Sequence, residues 1–245
     1  MSVRPHPGGS HFLAPPGPPR PERAAVPVSR RPWRFLRNRR PRPDAVLFDL
    51  GVLTRPGGAD PAAGDRAADL PPGTVARYAR EHPSYEAALL GLTTEQRWLD
   101  GVRRRLAEEV GAVPARVAVR AWRADPWHRR EAMVAVLRRV HESGVRCALV
   151  ANTTGSLNGD VGDRLTVEAY SSAELGVTTP SPLAFSAVAD RMGLHPDQVL
   201  FAASTPTAAA GARAAGMEAG SATTPPQLRA LLAALGIQVQ ALAAA

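Results

Sequence analysis

One aspartate stands where a side chain could do chemistry. Asp49 ends the apolar run Ala45-Val-Leu-Phe48 and is followed two residues on by Gly51. A run that short, stopped by glycine, reads as a buried parallel strand. The carboxyl ends of such strands are where open α/β sheets gather ligands. A carboxylate there can serve as a nucleophile or as a magnesium ligand. It can equally cap the turn behind it. Two further candidates are weaker. The stretch Asn158-Gly-Asp-Val-Gly-Asp163 offers Asp160 and Asp163 for a metal, but it lacks the spacing and terminal Glu of a calcium loop, and turn chemistry explains it. His141, near the end of a predicted helix, is suited to the terminal carbonyls.

The elements that must position Asp49 can be read from periodicity. Strands are expected at 45–48, 145–150, 165–170, 199–203 and, short, at 217–222. Between them, helices are expected over 130–141, closed by Gly144, and over 182–192, closed by Gly193. Two more follow at 208–216 and at 226–235, the last with Leu228, Leu231, Leu232 and Leu235 on one stripe. Such alternation predicts a doubly wound parallel α/β sheet. After the first strand, Arg55 to Pro72 reads as a Gly/Pro/Asp/Ala-rich linker or flap. Helices are then expected over 74–81 and 83–91, from a Thr93 cap through Leu106, and over 114–122. Trp98, Val102, Leu106 and Val110 recur every fourth residue, so Trp98 reads as core.

Composition bounds the rest. The chain has 245 residues, suited to one α/β domain with a modest insertion. A single cysteine, Cys147, can form no internal disulfide, which points to a reducing, cytoplasmic location. No apolar stretch is long enough to span a membrane, and the N-terminus has no signal-peptide block. The net charge of +8 suggests nucleic acid, but residues 1–43 carry +9 and residues 44–245 carry −1. Those first 43 residues hold eleven prolines and are expected to be disordered. Within them, Trp33-Arg-Phe-Leu-Arg37 could touch nucleic acid or an anionic surface; a solvated tail is the plainer reading. The expected organisation is a tail over 1–43, a core over 44–56 and 126–245, and a flap and helical cap over 57–125.

Four segments in order resemble the haloacid dehalogenase (HAD) superfamily. Phe48-Asp-Leu-Gly-Val-Leu53 is similar to its first motif, with Asp49 as the nucleophile, Gly51 at a position often held by a general acid, and a turn one residue short. Ala148-Leu-Val-Ala-Asn-Thr-Thr154 resembles the second, with Ala151 where the family has a hydroxyl; Asn152 is kept, and Thr153 or Thr154 are the hydroxyls nearby. Ser171-Ser-Ala-Glu-Leu-Gly-Val-Thr-Thr-Pro-Ser-Pro182 resembles the third, with Thr179 at the lysine position. Val199-Leu-Phe-Ala-Ala-Ser204 resembles the fourth, with Ala203 and Ser204 at the acidic positions. Residues 85–98 look like the family's cap segment.

The resemblance implies a HAD-type core with a small helical cap. It implies Asp49 as candidate nucleophile and metal ligand, and Asn152 and Thr153 as phosphate contacts. Its cation and metal acid are replaced, and the chain contains no lysine at all. Losing one charge-stabilising group costs about 3 kcal/mol in a barrier, and several lost together leave little rate. We therefore expect a catalytically degenerate HAD-like module that binds a small ligand or a protein and needs no cofactor. The alternative is a hydrolase, phosphatase or dehalogenase-like, that uses Asp49 with Mg2+.

Overall fold

The computed structural model describes residues 42–239, apart from 56–59, 61, 125–127, 158–160 and 162–164. The expected disordered tail, Trp33 with its arginines, and Asp160 and Asp163 lie outside the described residues. The central strand β1 (Ala45–Asp49) is followed at once by the short helix α1 (Leu50–Leu53) and by β2 (Thr54–Arg55). A helical segment comes next: α2 (Ala63–Ala67), α3 (Thr74–Arg80), α4 (Tyr85–Leu89), α5 (Glu95–Val110) and α6 (Ala112–Arg123). The chain returns through β3 (His128–Arg129), which pairs antiparallel with β2. Thereafter come α7 (Glu131–Glu142), β4 (Arg146–Ala151), β5 (Glu168–Ser171), α8 (Ser172–Leu175), α9 (Pro182–Met192), β6 (Val199–Ala203), α10 (Pro206–Ala214), β7 (Glu218–Ser221) and α11 (Pro225–Ala234).

The five core strands form one sheet in the order β5-β4-β1-β6-β7, and every neighbouring pair is parallel. Both faces are covered, which is why β1 is an unbroken apolar run. Val46 and Phe48 pack on one side with Met133, Leu137 and Val140 of α7 and with Leu228 and Leu232 of α11. Ala45 and Leu47 pack on the other with Phe185, Val188 and Met192 of α9. The chain winds outward from β1 through β4 to β5, then returns to β6 on the opposite side. The switch in direction therefore falls between β1 and β6, the place where such sheets open a crevice.

The helices between β2 and β3 have a core of their own, built from Val75, Tyr78, Trp98, Val102, Leu106, Ala118 and Val119. Trp98 is buried in it, its indole N–H donating to the Ala79 carbonyl at 2.9 Å and its ring edge-on to Trp122.

Several boundaries differ from expectation, each for a local reason. The linker expected over Arg55 to Pro72 contains β2 and α2. Asp65 is buried there and accepts from the backbone N–H groups of Gly73 and Val75, at 2.7 and 2.9 Å. The cap of α5 is Thr94 rather than Thr93, and its Oγ1 accepts from Arg97 N. The third core strand begins at Glu168, not Leu165, after Thr166 in the left-handed region at φ 57°. The helix expected from Ala208 starts at Pro206, because Thr205 caps it and proline suits a first helical position. Among the described residues no helix is long and apolar enough to cross a membrane.

Candidate functional site

The carboxyl ends of β1, β4 and β6 open into a cleft of about 360 Å³. Asp49 reaches it as the last residue of β1. Its Oδ1 accepts from Gly51 N at 3.0 Å, so the side chain caps α1. Its Oδ2 accepts from Ser204 N at 3.1 Å and also from the Ser204 hydroxyl. Both carboxylate oxygens are thus held by donors from the chain itself. The approach is close at Gly51, where a Cβ would stand 3.0 Å from the Cβ of Ser204 and would need that side chain to give way slightly.

The other walls come from β4 and the loop before α9. Ala151 presents a methyl to the cleft where a hydroxyl was sought. Asn152 lines it too, but its amide is committed. Its Nδ2 donates to the Thr179 carbonyl at 2.7 Å, and its Oδ1 accepts from Thr179 N at 2.9 Å. Asn152 therefore holds the loop that brings Thr179 and Pro180 to the cleft edge. Thr153 stands outside the cleft lining. Its backbone N–H donates to Ser172 Oγ at 3.1 Å, and that hydroxyl donates back to the Thr153 carbonyl. Thr154 is buried, with its Oγ1 donating to Glu95 of α5 at 3.0 Å. The Thr154 hydroxyl is thus engaged with Glu95, and Thr153 is tied to Ser172 through its backbone. Ala203 is fully buried behind the cleft, and Ser204 faces it.

The stretch 171–182 keeps its pattern for structural reasons. Ser171 and Glu174 form a reciprocal capping box on α8. Ser172 ties the loop after β4. Gly176 ends α8 with a left-handed φ of 73°.

Several cleft residues were not foreseen, among them one cation and two threonines. Arg55 lines it from β2, and Thr205 and Thr207 line it from the start of α10. The pair Thr205-Pro206 carried a helix-start signal that places both threonines at the strand end. Arg55 reaches the cleft only because β2 turns back to meet β3.

The magnesium that the resemblance implies needs a near-octahedral oxygen set with one or two carboxylates free to bind. Among the described residues Asp49 is the only carboxylate lining the cleft, and each of its oxygens already accepts at least one hydrogen bond. Among the described residues no group of three or more His, Cys, Asp or Glu is arranged to hold a metal. The described residues do not by themselves make up such a set.

Solved structures resemble this architecture. A HAD-family enzyme from Bacteroides thetaiotaomicron, in complex with magnesium and inorganic phosphate, superposes with a TM-score of 0.56 at 17% identity over 72% of this chain and 92% of its own. A 2-haloacid dehalogenase from Pseudomonas syringae pv. Tomato DC3000 gives 0.57 at 14% identity, covering 77% and 97%. A dehalogenase with an intermediate complex gives 0.58 at 18% identity, covering 79% and 98%. No family model matches the chain, and no curated protein matches it by sequence. The fold is that of the HAD-like superfamily; at these identities the likeness speaks for architecture alone.

Proposed function

We propose that this chain is a HAD-like protein whose hydrolase chemistry is retired and which serves as a binding or regulatory module. The observation that carries this reading is the state of Asp49. Asp49 accepts from Gly51 N on one oxygen and from Ser204 twice on the other, so the chain's own donors take up three of its roughly four lone-pair positions. Ala151, Thr179 and Ser204 stand where a hydroxyl, a cation and an acid would assist it, and no lysine exists elsewhere in the chain. In this reading the helices within 57–125 act as a cap over a core formed by 44–56 and 126–245. The lone buried Cys147 suits a reducing cytoplasm.

A second reading is favoured by Arg55 alone. It lines the cleft, and its guanidinium could offset charge on a phosphate ester or organic acid. Asp49 would then attack as the nucleophile after releasing Ser204. Magnesium in the Bacteroides relative supports that chemistry for the relative; here the donor set argues against it.

The deciding assay follows p-nitrophenyl phosphate and a 2-haloacid, with and without magnesium, beside Asp49→Asn. The expected result is a buffer rate for both proteins. Turnover that depends on magnesium and vanishes in the variant would overturn the proposal.

A further inference from the structure

Away from the cleft, α5 and α6 form a hairpin whose outer side carries a groove of about 230 Å³. Its apolar part is Leu99 and Val119, and its walls hold Arg103, Arg116, Arg120 and Arg123. Two of these cations are already paired: Arg103 with Asp100 at 2.9 Å, and Arg123 with Glu95. Asp100, the groove's one acid among the described residues, also accepts from Gln96 at 3.0 Å, on the same oxygen that meets Arg103. Arg116 and Arg120 are different. They lie one turn apart on α6, both exposed, with no hydrogen-bond or ion-pair partner among the described residues. The groove thus has positive charge in excess of its own acids.

The same face of α6 carries Val113 and Val117, 61% and 41% exposed and among the few large apolar side chains left in solvent. Val113, Arg116, Val117 and Arg120 follow helical spacing, so valines and arginines share one strip. We propose that this strip and groove dock an acidic, amphipathic segment of a partner protein. Carboxylates one helical turn apart would pair with Arg116 and Arg120, and an apolar side chain would rest on Val113 and Val117. Guanidinium suits this role because it binds carboxylate in a fork and is weakly hydrated. Nucleic acid is disfavoured on two counts. Residues 44–245 carry a net charge of −1 and create no broad positive field, and a phosphate backbone makes no use of the exposed valines. The inference goes beyond the retired-hydrolase reading and does not depend on it, since the groove shares no residue with the Asp49 cleft.

The test uses the full chain and a short peptide of glutamates and leucines at helical spacing, read by hydrogen–deuterium exchange at low ionic strength. That readout separates the groove from the arginine-rich N-terminal segment, which also attracts acidic peptides. Peptide should protect the segment 95–123. The pair Arg116→Glu and Arg120→Glu should weaken that protection by about tenfold in peptide concentration. The pair Arg116→Gln and Arg120→Gln should give a smaller loss in the same direction. A charge-matched control, Arg138→Glu with Arg229→Glu, should change it less than about twofold. Absence of protection over 95–123, or equal loss in control and groove variants, would overturn the proposal. So would equal protection by a single-stranded oligonucleotide through the same arginines, which would assign the surface to nucleic acid. Hydrolysis that depends on Asp49 would leave this result untouched, so the two proposals fail separately.

Discussion

Asp49 and Ser204 define each other. The serine donates twice to one carboxylate oxygen, so the residue after the fourth core strand holds the residue at the end of the first. Removing the hydroxyl tests how much that hold contributes. Ser204→Ala leaves Asp49 with backbone donors only and should lower stability by about 1.5–3 kcal/mol, the range for hydrogen bonds to charged groups, measured by urea unfolding. A loss near zero would mean that water replaces the hydroxyl at no cost. Cys147, buried in β4, makes a separate prediction. Burial pushes its thiol up from 9.0 to about 12. The folded state therefore keeps a proton that the unfolded chain releases above pH 9. Stability should be unaffected by this group below pH 9 and fall by about 1.4 kcal/mol per pH unit between pH 9 and 12. A Cys147→Ser variant lacks that titration and should show a shallower alkaline loss in the same measurement. In native protein the thiol should resist alkylation at pH 8 and react on unfolding.

At the level of elements, contacts at Gly91 and Glu95 are among those that join the helical segment to the sheet. Gly91, at φ 68°, lies so close to α8 that a Cβ would fall 2.1 Å from the Ala173 carbonyl oxygen. Gly91→Ala meets both a left-handed backbone and a clash with main chain, and should cost about 2 kcal/mol or more in thermal or urea unfolding. A smaller loss would show that the α4–α5 connection gives way easily. Glu95 is the second contact, accepting from Arg123 on α6 and from Thr154 beyond β4. The first, second and fourth core strands, the α9 helix and the core role of Trp98 could be read from the sequence because each depends on local periodicity. Parts of the third and fourth segments have structural roles of their own: a capping box at Ser171, a left-handed glycine at 176, a threonine cap before Pro206. Other features were hidden because they exist only in three dimensions. Asp65 sits in a stretch with a linker's composition, and only its bonds to Gly73 and Val75 reveal it as a buried cap. The two-residue β3 is too short to show a period, and Arg55 enters the cleft only through β3. Thr153 and Thr154 could not be told from cleft hydroxyls until their partners were seen.

For the whole molecule, the sheet and the helical segment each have their own core, and the segment enters and leaves the sheet through one small ribbon. Thr54 pairs with Arg129, and Arg55 with His128. Backbones paired in this way stand only about 5 Å apart. The helical segment is thus a branch on a stem whose two sides already touch, so cutting the branch leaves no gap to bridge. A chain with residues 56–127 replaced by Asn-Gly would have a two-residue hairpin turn joining strands that already pair. It should keep a single cooperative unfolding transition and bury the same sheet. Loss of that transition would show that Gly91 and Glu95 are supports of the sheet and not merely points of rest upon it. Survival would mean that the α5–α6 surface can be exchanged between homologous stems without rebuilding the barrel-free sheet beneath, a route by which one scaffold acquires new partners.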